Sequence, residues 1–252
     1  MSGSLAKTRR PFLTARWEHI ALLNYEVEPE LLRSSVPQGT ELDLWQGRCL
    51  ISLVGFRFLD TRLLGMPIPG HRHFDEVNLR IYIRRKDENG TWRRAVAFIR
   101  ELVPRWAIAT VARLVYNEPY LTVPMTHDVR VTPETGGSVA YGWRYGGQSF
   151  ALSAAAAGPA QPLIPGSEAE FITEHYWAYT RQRDGGTLEY QVEHPSWNVW
   201  TATRATFTGP GALLYGPDFG QILAHPPASA FLALGSPVVV HKGLRLARPD
   251  KK

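Results

Sequence analysis

The feature that most constrains the fold is a pair of alternating segments, 77–85 and 92–103, separated by a polar stretch that ends in Asn89-Gly90. Asn-Gly is typical of the tight turn of a β-hairpin, and alternating apolar and polar side chains are typical of strands with one buried face. We therefore predict an antiparallel hairpin here. Similar short segments, bounded by glycine, proline and asparagine, recur along the chain and indicate about a dozen strands in all.

This pattern predicts a mainly β protein with three or four short helices, and closure of the sheet would remove its exposed edges. One helix is expected over 107–116 from its apolar stripe. A second is expected over 167–179, because Ser167 is a good N-cap. No internal repeat or break in composition divides the chain. We predict one domain over residues 11–247, with basic tails at 1–10 and 248–252.

The distribution of charge argues against a nucleic-acid surface. The net charge is +5, but residues 1–10 and 241–252 carry eight Lys and Arg against one Asp, and the remainder carries 20 basic and 22 acidic residues. A folded nucleic-acid face would need clustered basic residues. Cys49 is the only cysteine, and the chain has no apolar run of about 18 residues. We expect no membrane or nucleic-acid partner and a location in the reducing cytoplasm.

A candidate site lies around 98–106, where a strand reaches the charged pair Arg100-Glu101 before Pro104 interrupts it. In a regular strand the two side chains point to opposite faces, so one of them faces apolar surroundings. A buried charge without a partner is costly. Either an internal ion pair, which is the more common arrangement, or a bound ligand would meet this need.

A pocket beside this pair would take its polar groups from a few neighbouring strands. Arg100 or Arg105 would hold an anion, and Glu101 or His19 would be the acid–base group in any reaction. Residues 12–27 are predicted to form a strand, and its Glu18-His19 pair is more typical of a strand with one solvated face than of a pocket. The candidate lining residues are Glu18, His19, Arg80, Arg100, Glu101, Arg105 and Trp106.

Motifs for metals and common cofactors give little support to either. His71 and His73 are followed by Asp75 and Glu76, and all four types of side chain can bind metals. A Pro/Gly-rich loop of this kind is more often a solvated turn. The sequence has no phosphate-binding glycine loop and no Gly-x-Ser-x-Gly motif. We therefore expect neither a metal nor a cofactor, and a metal site at His71 and His73 stays open as the minor alternative.

Three long stretches carry a family resemblance: PIPGHRHFDEVNLRIYIRR, FIRELVPRWAIATVARLVYNEPY and EHYWAYTRQRDGGTLEYQVEHP. With shorter segments between residues 12 and 246, they resemble the YqjF-like domain of unknown function. That family resembles a branch of the acetoacetate decarboxylase-like superfamily. The resemblance implies a mostly antiparallel β-barrel or sheet with a central cavity and a few short helices outside it.

The resemblance does not extend to the decarboxylase mechanism. Those enzymes form a Schiff base on a lysine just after an Arg-Glu-Leu stretch. Here Arg100-Glu101-Leu102 is followed by Val-Pro-Arg-Trp-Ala, and arginine stays protonated and cannot replace the amine. Schiff-base decarboxylation is therefore not expected.

Three functions stay open at this stage. The cavity could bind and transform a small organic acid, keto or carboxylic, by lyase-like or acid–base chemistry. It could bind such a molecule without turning it over. The protein could instead be a structural oligomeric scaffold whose interior is filled by aromatic side chains. A homo-oligomer is left open in each case.

Overall fold

The computed structural model describes residues 11–111 and 116–246. The predicted basic tails and the second half of the predicted helix at 107–116 fall largely outside this range. The fold is mainly β, as predicted. Twelve strands form one sheet and four form a second. None of the described helices is both long and apolar enough to cross a membrane.

Seven strands of the larger sheet form a closed ring. In spatial order they are β15 (Ser229–His241), β1 (Pro11–Glu26), β3 (Leu50–Leu63), β5 (Phe74–Lys86), β6 (Trp92–Val103), β11 (Trp177–Arg181) and β12 (Thr187–Glu193). The last of these pairs with the first through Val192–Val240 and Glu193–Val239. Neighbours in the ring run antiparallel except β6 and β11, which are parallel and share two residue pairs.

The remaining elements flank the ring. Its short additional strands are β2 (Glu41–Leu42), β4 (Met66–Pro67), β7 (Tyr120–Thr122), β13 (Val199–Thr201) and β16 (Leu244–Arg245). The second sheet contains β8 (Met125–Thr132), β9 (Gly136–Tyr145), β10 (Gln148–Ala157) and β14 (Arg204–Thr208). The helices are α1 (Pro29–Leu32), α2 (Trp106–Val111), α3 (Glu168–Thr173), α4 (Ala212–Tyr215) and α5 (Pro217–Leu223).

Apolar side chains are buried on both faces of the central ring strands, as along β1 and β3. Side chains of one face, such as Leu23 and Leu53, belong to a core shared with the second sheet. Their neighbours Leu22 and Val54 belong to a separate core inside the ring. Alternation along each strand therefore divides its apolar residues between two cores, and the inner core surrounds a cavity.

The predicted hairpin is confirmed as β5 and β6. In its turn Asp87 Oδ1 accepts hydrogen bonds of 2.9 Å from the backbone N–H groups of Asn89 and Thr91, while Gly90 has a φ of 80°. The predicted helix at 107–116 begins at Trp106 and is helical through Val111. Residues 112–115 lie outside the described chain.

The prediction of a helix over 167–179 is wrong in its second half. Ser167 Oγ does accept a hydrogen bond from the Glu170 N–H at 3.2 Å, but the helix ends at Thr173. The backbone of Glu174 leaves the helical region, and Trp177 begins β11. Aromatic and β-branched residues favour strands, and pairing with two ring strands outweighs the weak helical pattern here.

Two bulges change which side chains face the interior of the ring. In β1, His19 has a φ of 57° and the register with β3 shifts between Glu18 and Ala21. Ile20, rather than His19, therefore follows Trp17 on the inner face. In β6, Arg80 lies opposite Phe98 and Leu79 lies opposite Arg100, so Ile99 is the extra residue.

Candidate functional site

A cavity of about 160 Å³ occupies the interior of the ring. A cavity of about 150 Å³ is large enough to hold a benzene-sized molecule. Most of the wall is apolar and aromatic, and the polar groups come chiefly from β5, β6, β12 and the segments beside them. The polar and ionisable lining residues are Trp17, Glu76, Asn78, Arg80, Glu101, Tyr116, Glu118, Tyr120, Thr173, His175, Trp177, Tyr190, His194 and Trp197.

One strand sets the polarity of this cavity. Glu76, Asn78 and Arg80 lie at alternate positions of β5, so all three project to the same face. With a rise of about 3.3 Å per residue, the backbone positions of Glu76 and Arg80 are roughly 13 Å apart. The cavity therefore has an acidic end and a basic end. We call them the carboxyl pole (Glu76, Glu101 and Glu118) and the arginine pole (Arg80, His175 and His194).

At the carboxyl pole, hydroxyl and amide groups hold two of the three glutamates. Glu76 accepts hydrogen bonds of 3.0 Å from both Asn78 Nδ2 and the Tyr120 hydroxyl. Glu118 accepts a hydrogen bond of 2.8 Å from the Tyr190 hydroxyl and another from Thr180. These donors are neutral. They fix the carboxyl groups without supplying a positive charge.

Glu101 completes the carboxyl pole. It lies opposite Asn78 in the β5–β6 register and is only 2% exposed. Its side chain shares hydrogen bonds with Glu118 and Tyr120. Asn78 Oδ1 accepts no hydrogen bond from the described residues.

Burial raises the pKa of all three carboxyl groups, because the charged form loses its hydration. The pKa of Glu76 and that of Glu118 rise to about 7. The pKa of Glu101 rises well above its ordinary value, through burial first and then through repulsion from Glu118 and Glu76. The pole therefore retains protons near neutral pH, and Glu101 is a carboxylic acid that can donate one.

At the arginine pole, Arg80 has only neutral acceptors among the described residues. Its Nη2 donates to the Ile172 carbonyl at 2.9 Å and to the Tyr82 hydroxyl at 3.4 Å. Its Nε is buried and has no described acceptor. Among the described lining residues Arg80 is the only Arg or Lys, so it is the fixed positive charge of this cavity.

A buried hydrogen-bond network holds the tyrosine that contacts Arg80. The Tyr82 hydroxyl lies 2.5 Å from Ser52 Oγ, which donates to Asn24 Oδ1 at 2.6 Å. Asn24 Nδ2 in turn donates to Ser229 Oγ at 2.9 Å. Because this network joins β15, β1, β3 and β5, the position of Tyr82 is set by the ring.

Two histidines lie beside Arg80. Burial lowers the pKa of His175 well below its ordinary value, and the charges of Arg94 and Arg80 lower it further. Burial also lowers the pKa of His194, whose ring stacks on Trp197 at 4.3 Å. Both imidazoles are therefore neutral at pH 7 and offer hydrogen bonds without adding charge.

Two of the seven candidate residues from the sequence, Arg80 and Glu101, line the cavity. The bulge at Ile99 brings Glu101 to the inner face together with Phe98. The same bulge leaves Arg100 opposite Leu79, on the face of the outer core. Arg100 and Glu101 therefore lie on opposite faces of β6 and do not pair with each other.

The other candidates lie away from the cavity. The bulge in β1 carries Glu18 and His19 out of the inner face. Glu18 Oε1 accepts a hydrogen bond of 2.7 Å from Arg16, and the His19 carbonyl accepts one of 2.7 Å from the Tyr141 hydroxyl. Arg105 is exposed, and Trp106 is 69% exposed.

The two loop histidines, His71 and His73, also lie apart from the cavity. His71 Nδ1 contacts the Pro69 carbonyl at 2.8 Å, and His73 Nδ1 accepts from the Asp60 N–H at 3.3 Å. Across residues 11–111 and 116–246, no group of three or more His, Cys, Asp or Glu side chains is arranged to hold a metal ion.

Several residues of the site were not singled out from the sequence. The alternation Glu76-x-Asn78-x-Arg80 was a usable signal for one polar face of β5. Glu118 carried no such signal, because it stands between Asn117 and Pro119 outside any regular element. Only the pairing of β7 with β6 places it beside the ring.

The fold is that of the acetoacetate decarboxylase-like proteins. An acetoacetate decarboxylase from Legionella pneumophila matches with a TM-score of 0.65 and 15% identity, over 98% of this chain and 92% of that one. An acetoacetate decarboxylase-like enzyme from Sphingomonas wittichii RW1 matches with a TM-score of 0.62 and 14% identity, over 98% and 100%. The enduracididine biosynthesis enzyme MppR, complexed with pyruvate, matches with a TM-score of 0.65 and 14% identity, over 97% and 93%. At these identities the likeness shows the fold alone.

The chain belongs to the DUF2071 family of uncharacterized conserved proteins, whose model matches residues 14–239. The uncharacterized protein YqjF from Bacillus subtilis (strain 168) is 28% identical over 191 residues, which are 74% of each chain. The family resemblance predicted from the sequence is thus confirmed.

Proposed function

We propose that this protein binds a small organic acid, keto or carboxylic, in the central cavity and that Arg80 holds its carboxylate. The observation that carries this proposal is the environment of Arg80: a guanidinium in a largely apolar cavity, with a buried Nε that no described acceptor meets. Buried charges are normally paired. The planar fork of an arginine matches a carboxylate in geometry as well as charge.

The rest of the cavity supports a ligand with an apolar body. Aromatic side chains of β1, β3 and β6, including Trp17, Phe56, Phe58 and Phe98, line the wall around the polar groups. Small-molecule sites are typically of this kind, with few polar groups that fix the orientation. The volume of the cavity also weighs against the scaffold alternative, which requires an interior filled by side chains.

Thermal unfolding in the presence of a library of small keto, hydroxy and aromatic acids tests the proposal. A ligand at 100 times its Kd adds about 2.7 kcal/mol to the free energy of unfolding. We expect at least one acid to do so, and we expect Arg80→Gln to abolish the effect because the carboxylate loses its charged partner.

Arg84→Gln is the matched control. Arg84 lies four residues further along β5, and it pairs at the surface with Glu41 at 2.7 Å. Loss of such a pair changes stability by about 1 kcal/mol or less and leaves the cavity intact. A library without any stabilising acid, or a hit that binds Arg80→Gln as tightly as the wild type, would contradict the proposal.

A second candidate function, acid–base catalysis on the bound acid, is favoured by Glu101. This carboxyl group lines the cavity and keeps its proton at neutral pH, so it is matched to protonate a substrate oxygen or carbon. A conversion assay on each hit separates catalysis from binding alone. If Glu101 is the acid, Glu101→Gln loses turnover and retains binding. The described cavity wall contains no lysine, so a Schiff-base route has no support.

We further propose that residues 11–247 act as one domain in the cytoplasm. Pairing of β1 with β15 along twelve residue pairs joins the two ends of the described chain, which supports a single cooperative unit. Cys49 is buried and unpaired, which suits a reducing compartment. Sedimentation measurements would decide whether copies form a homo-oligomer.

A further inference from the structure

Besides Arg80, the cavity wall contains a second buried donor without an acceptor, the indole N–H of Trp17. Trp17 lines the cavity, and its Nε1 is buried with no hydrogen-bond partner among the described residues. An indole N–H is a donor only, so nothing but an acceptor can satisfy it. A buried donor that stays without one costs free energy.

Another tryptophan of the same wall shows how such a donor is usually satisfied. Trp197 also lines the cavity, and its Nε1 donates to Ser236 Oγ at 2.8 Å. Ser236 lies opposite Trp17 in the β1–β15 pair, yet its hydroxyl serves Trp197 and donates to the Pro237 carbonyl at 3.0 Å. The ring therefore supplies an acceptor to one indole and leaves the other open to the cavity.

Neighbouring aromatic rings hold the indole of Trp17 in place. Its ring lies 5.2 Å from that of Phe56 and 5.8 Å from that of Phe58, and both contacts are edge-to-face. An aromatic face accepts an N–H only weakly, so an oxygen atom is a much better partner. A fixed donor in an apolar wall selects for an acceptor at one position in the cavity.

We propose that Trp17 donates a hydrogen bond to an oxygen on the body of the ligand whose carboxylate Arg80 holds. The ligand class is then a carboxylic acid that carries a neutral oxygen acceptor, such as a carbonyl or an ether, on its apolar chain. Trp17 is the residue that distinguishes this acid from an unsubstituted one. This inference rests on the function proposed above for Arg80.

The positions of the two donors separate this oxygen from the carboxylate. Arg80 lies opposite Ser52 of β3, whereas Trp17 lies opposite Phe58, six residues further along the same strand. Six residues of strand span roughly 20 Å, and the indole covers part of this distance because it also packs on Phe56. An oxygen beside the carboxylate, as in a 2-oxo acid, cannot meet both donors. The oxygen belongs near the far end of the chain.

Isothermal titration calorimetry of the full-length protein tests this inference with matched acids. The probes are straight-chain acids of about six to ten carbons, a range chosen for a cavity of about 160 Å³. Each is compared with the same chain carrying a carbonyl near its far end and with the 2-oxo isomer. We expect at least one distal oxo acid to bind about fivefold tighter than the plain acid, as for one neutral hydrogen bond. The 2-oxo isomer should show no such gain.

Heteronuclear NMR of the indole N–H groups gives a direct measurement on the wild-type protein. The chain has eight tryptophans, and the resonance of Trp17 is the one missing from Trp17→Phe. It should move downfield when the distal oxo acid binds and move clearly less with the plain acid. If the variant does not fold, sequential assignment of the wild type identifies the same resonance.

Trp17→Phe assigns the preference to the indole N–H. Phenylalanine keeps an aromatic ring in the wall and has no donor, so this variant should bind the plain acid and the distal oxo acid equally. Trp92→Phe is the matched control. Trp92 is 41% exposed, and its ring packs under the Arg84 guanidinium at 4.3 Å, so this variant should keep the fivefold preference.

The outcomes separate this inference from the function on which it rests. If the plain acids bind through Arg80 but the distal oxo acids bind no tighter and leave the Trp17 resonance in place, the role of Trp17 is wrong and the acid site stands. If no series binds the wild-type protein, both proposals are overturned. A preference that survives in Trp17→Phe, or that the 2-oxo isomer shares, also overturns this inference.

Discussion

The carboxyl pole is expected to lower the free energy of unfolding by several kcal/mol as pH rises from about 4.5 through about 7 and above. Glu76, Glu101 and Glu118 have pKa values raised above 4.5, so they keep protons in the folded protein that the unfolded chain has released. Their contribution to stability is present at low pH and is lost as pH rises through the folded pKa values. For each carboxyl group that is protonated in the folded protein and ionised in the unfolded chain, a rise of one pH unit lowers the free energy of unfolding by about 1.4 kcal/mol.

Buried histidines impose the opposite trend below about pH 6.5. The pKa values of His19, His175 and His194 are lowered by burial, so these side chains stabilise the fold above pH 6.5 and the stabilisation is lost as pH falls. Because the two trends oppose each other below about pH 6.5, we expect the net loss of stability to be clearest above it. Urea unfolding across this series of pH values measures both slopes.

Glu101→Gln identifies the source of the alkaline slope. The amide occupies nearly the same space and does not ionise, so the variant should lose less stability than the wild type as pH rises above about 6.5. Glu41→Gln, at the surface, should leave the slope unchanged. A wild-type protein whose stability stays constant across that range would show that the three carboxyl groups are not held as described.

A single added methyl group at Gly235 is expected to destabilise the protein by about 4 kcal/mol or more, which is at the upper end for a point substitution. Gly235 lies opposite Glu18 in the β1–β15 pair and has a φ of 90°. A Cβ atom there would lie 1.9 Å from the Trp17 carbonyl oxygen. The contact is with backbone, so Gly235→Ala must push two ring strands apart.

Gly216→Ala separates this contact from the cost of the backbone conformation. Gly216 has a φ of 87°, close to that of Gly235, but a Cβ atom there would meet nothing within 4 Å. An alanine at positive φ costs roughly 1–2 kcal/mol. Chemical denaturation of both variants should show a clearly larger loss for Gly235→Ala. Equal losses would mean that β1 and β15 are not packed this closely.

Sequence alone was sufficient for the class of fold. The hairpin of β5 and β6 followed from a turn dipeptide and two alternating segments, which are local signals. The end of α3 was missed because the strand pairing of Trp177 and Tyr179 depends on residues far away in the chain. Local propensity does not contain that information.

The site was harder to predict than the fold, chiefly because of two bulges. One extra residue at Ile99 placed Glu101 rather than Arg100 beside Asn78, and the bulge at His19 moved the polar step of β1 off the inner face. A one-residue change in register reverses every later side chain of a strand. The sequence pattern identifies alternation but does not locate such insertions. Arg80 does line the cavity, and β5 is regular along its pairing with β3.

The closure of the ring has a consequence for kinetics. The hairpin of β11 and β12 joins the neighbouring ring strands through two residue pairs on each side, whereas β1 and β15 share twelve. The same hairpin carries Trp177, Tyr190 and Val192 of the cavity wall. Separation of this one hairpin is enough to open the interior to solvent. Local opening is expected to be easiest here, because few residue pairs join the hairpin to the rest of the ring. Access to the cavity would then require only this local opening and not unfolding of the whole chain.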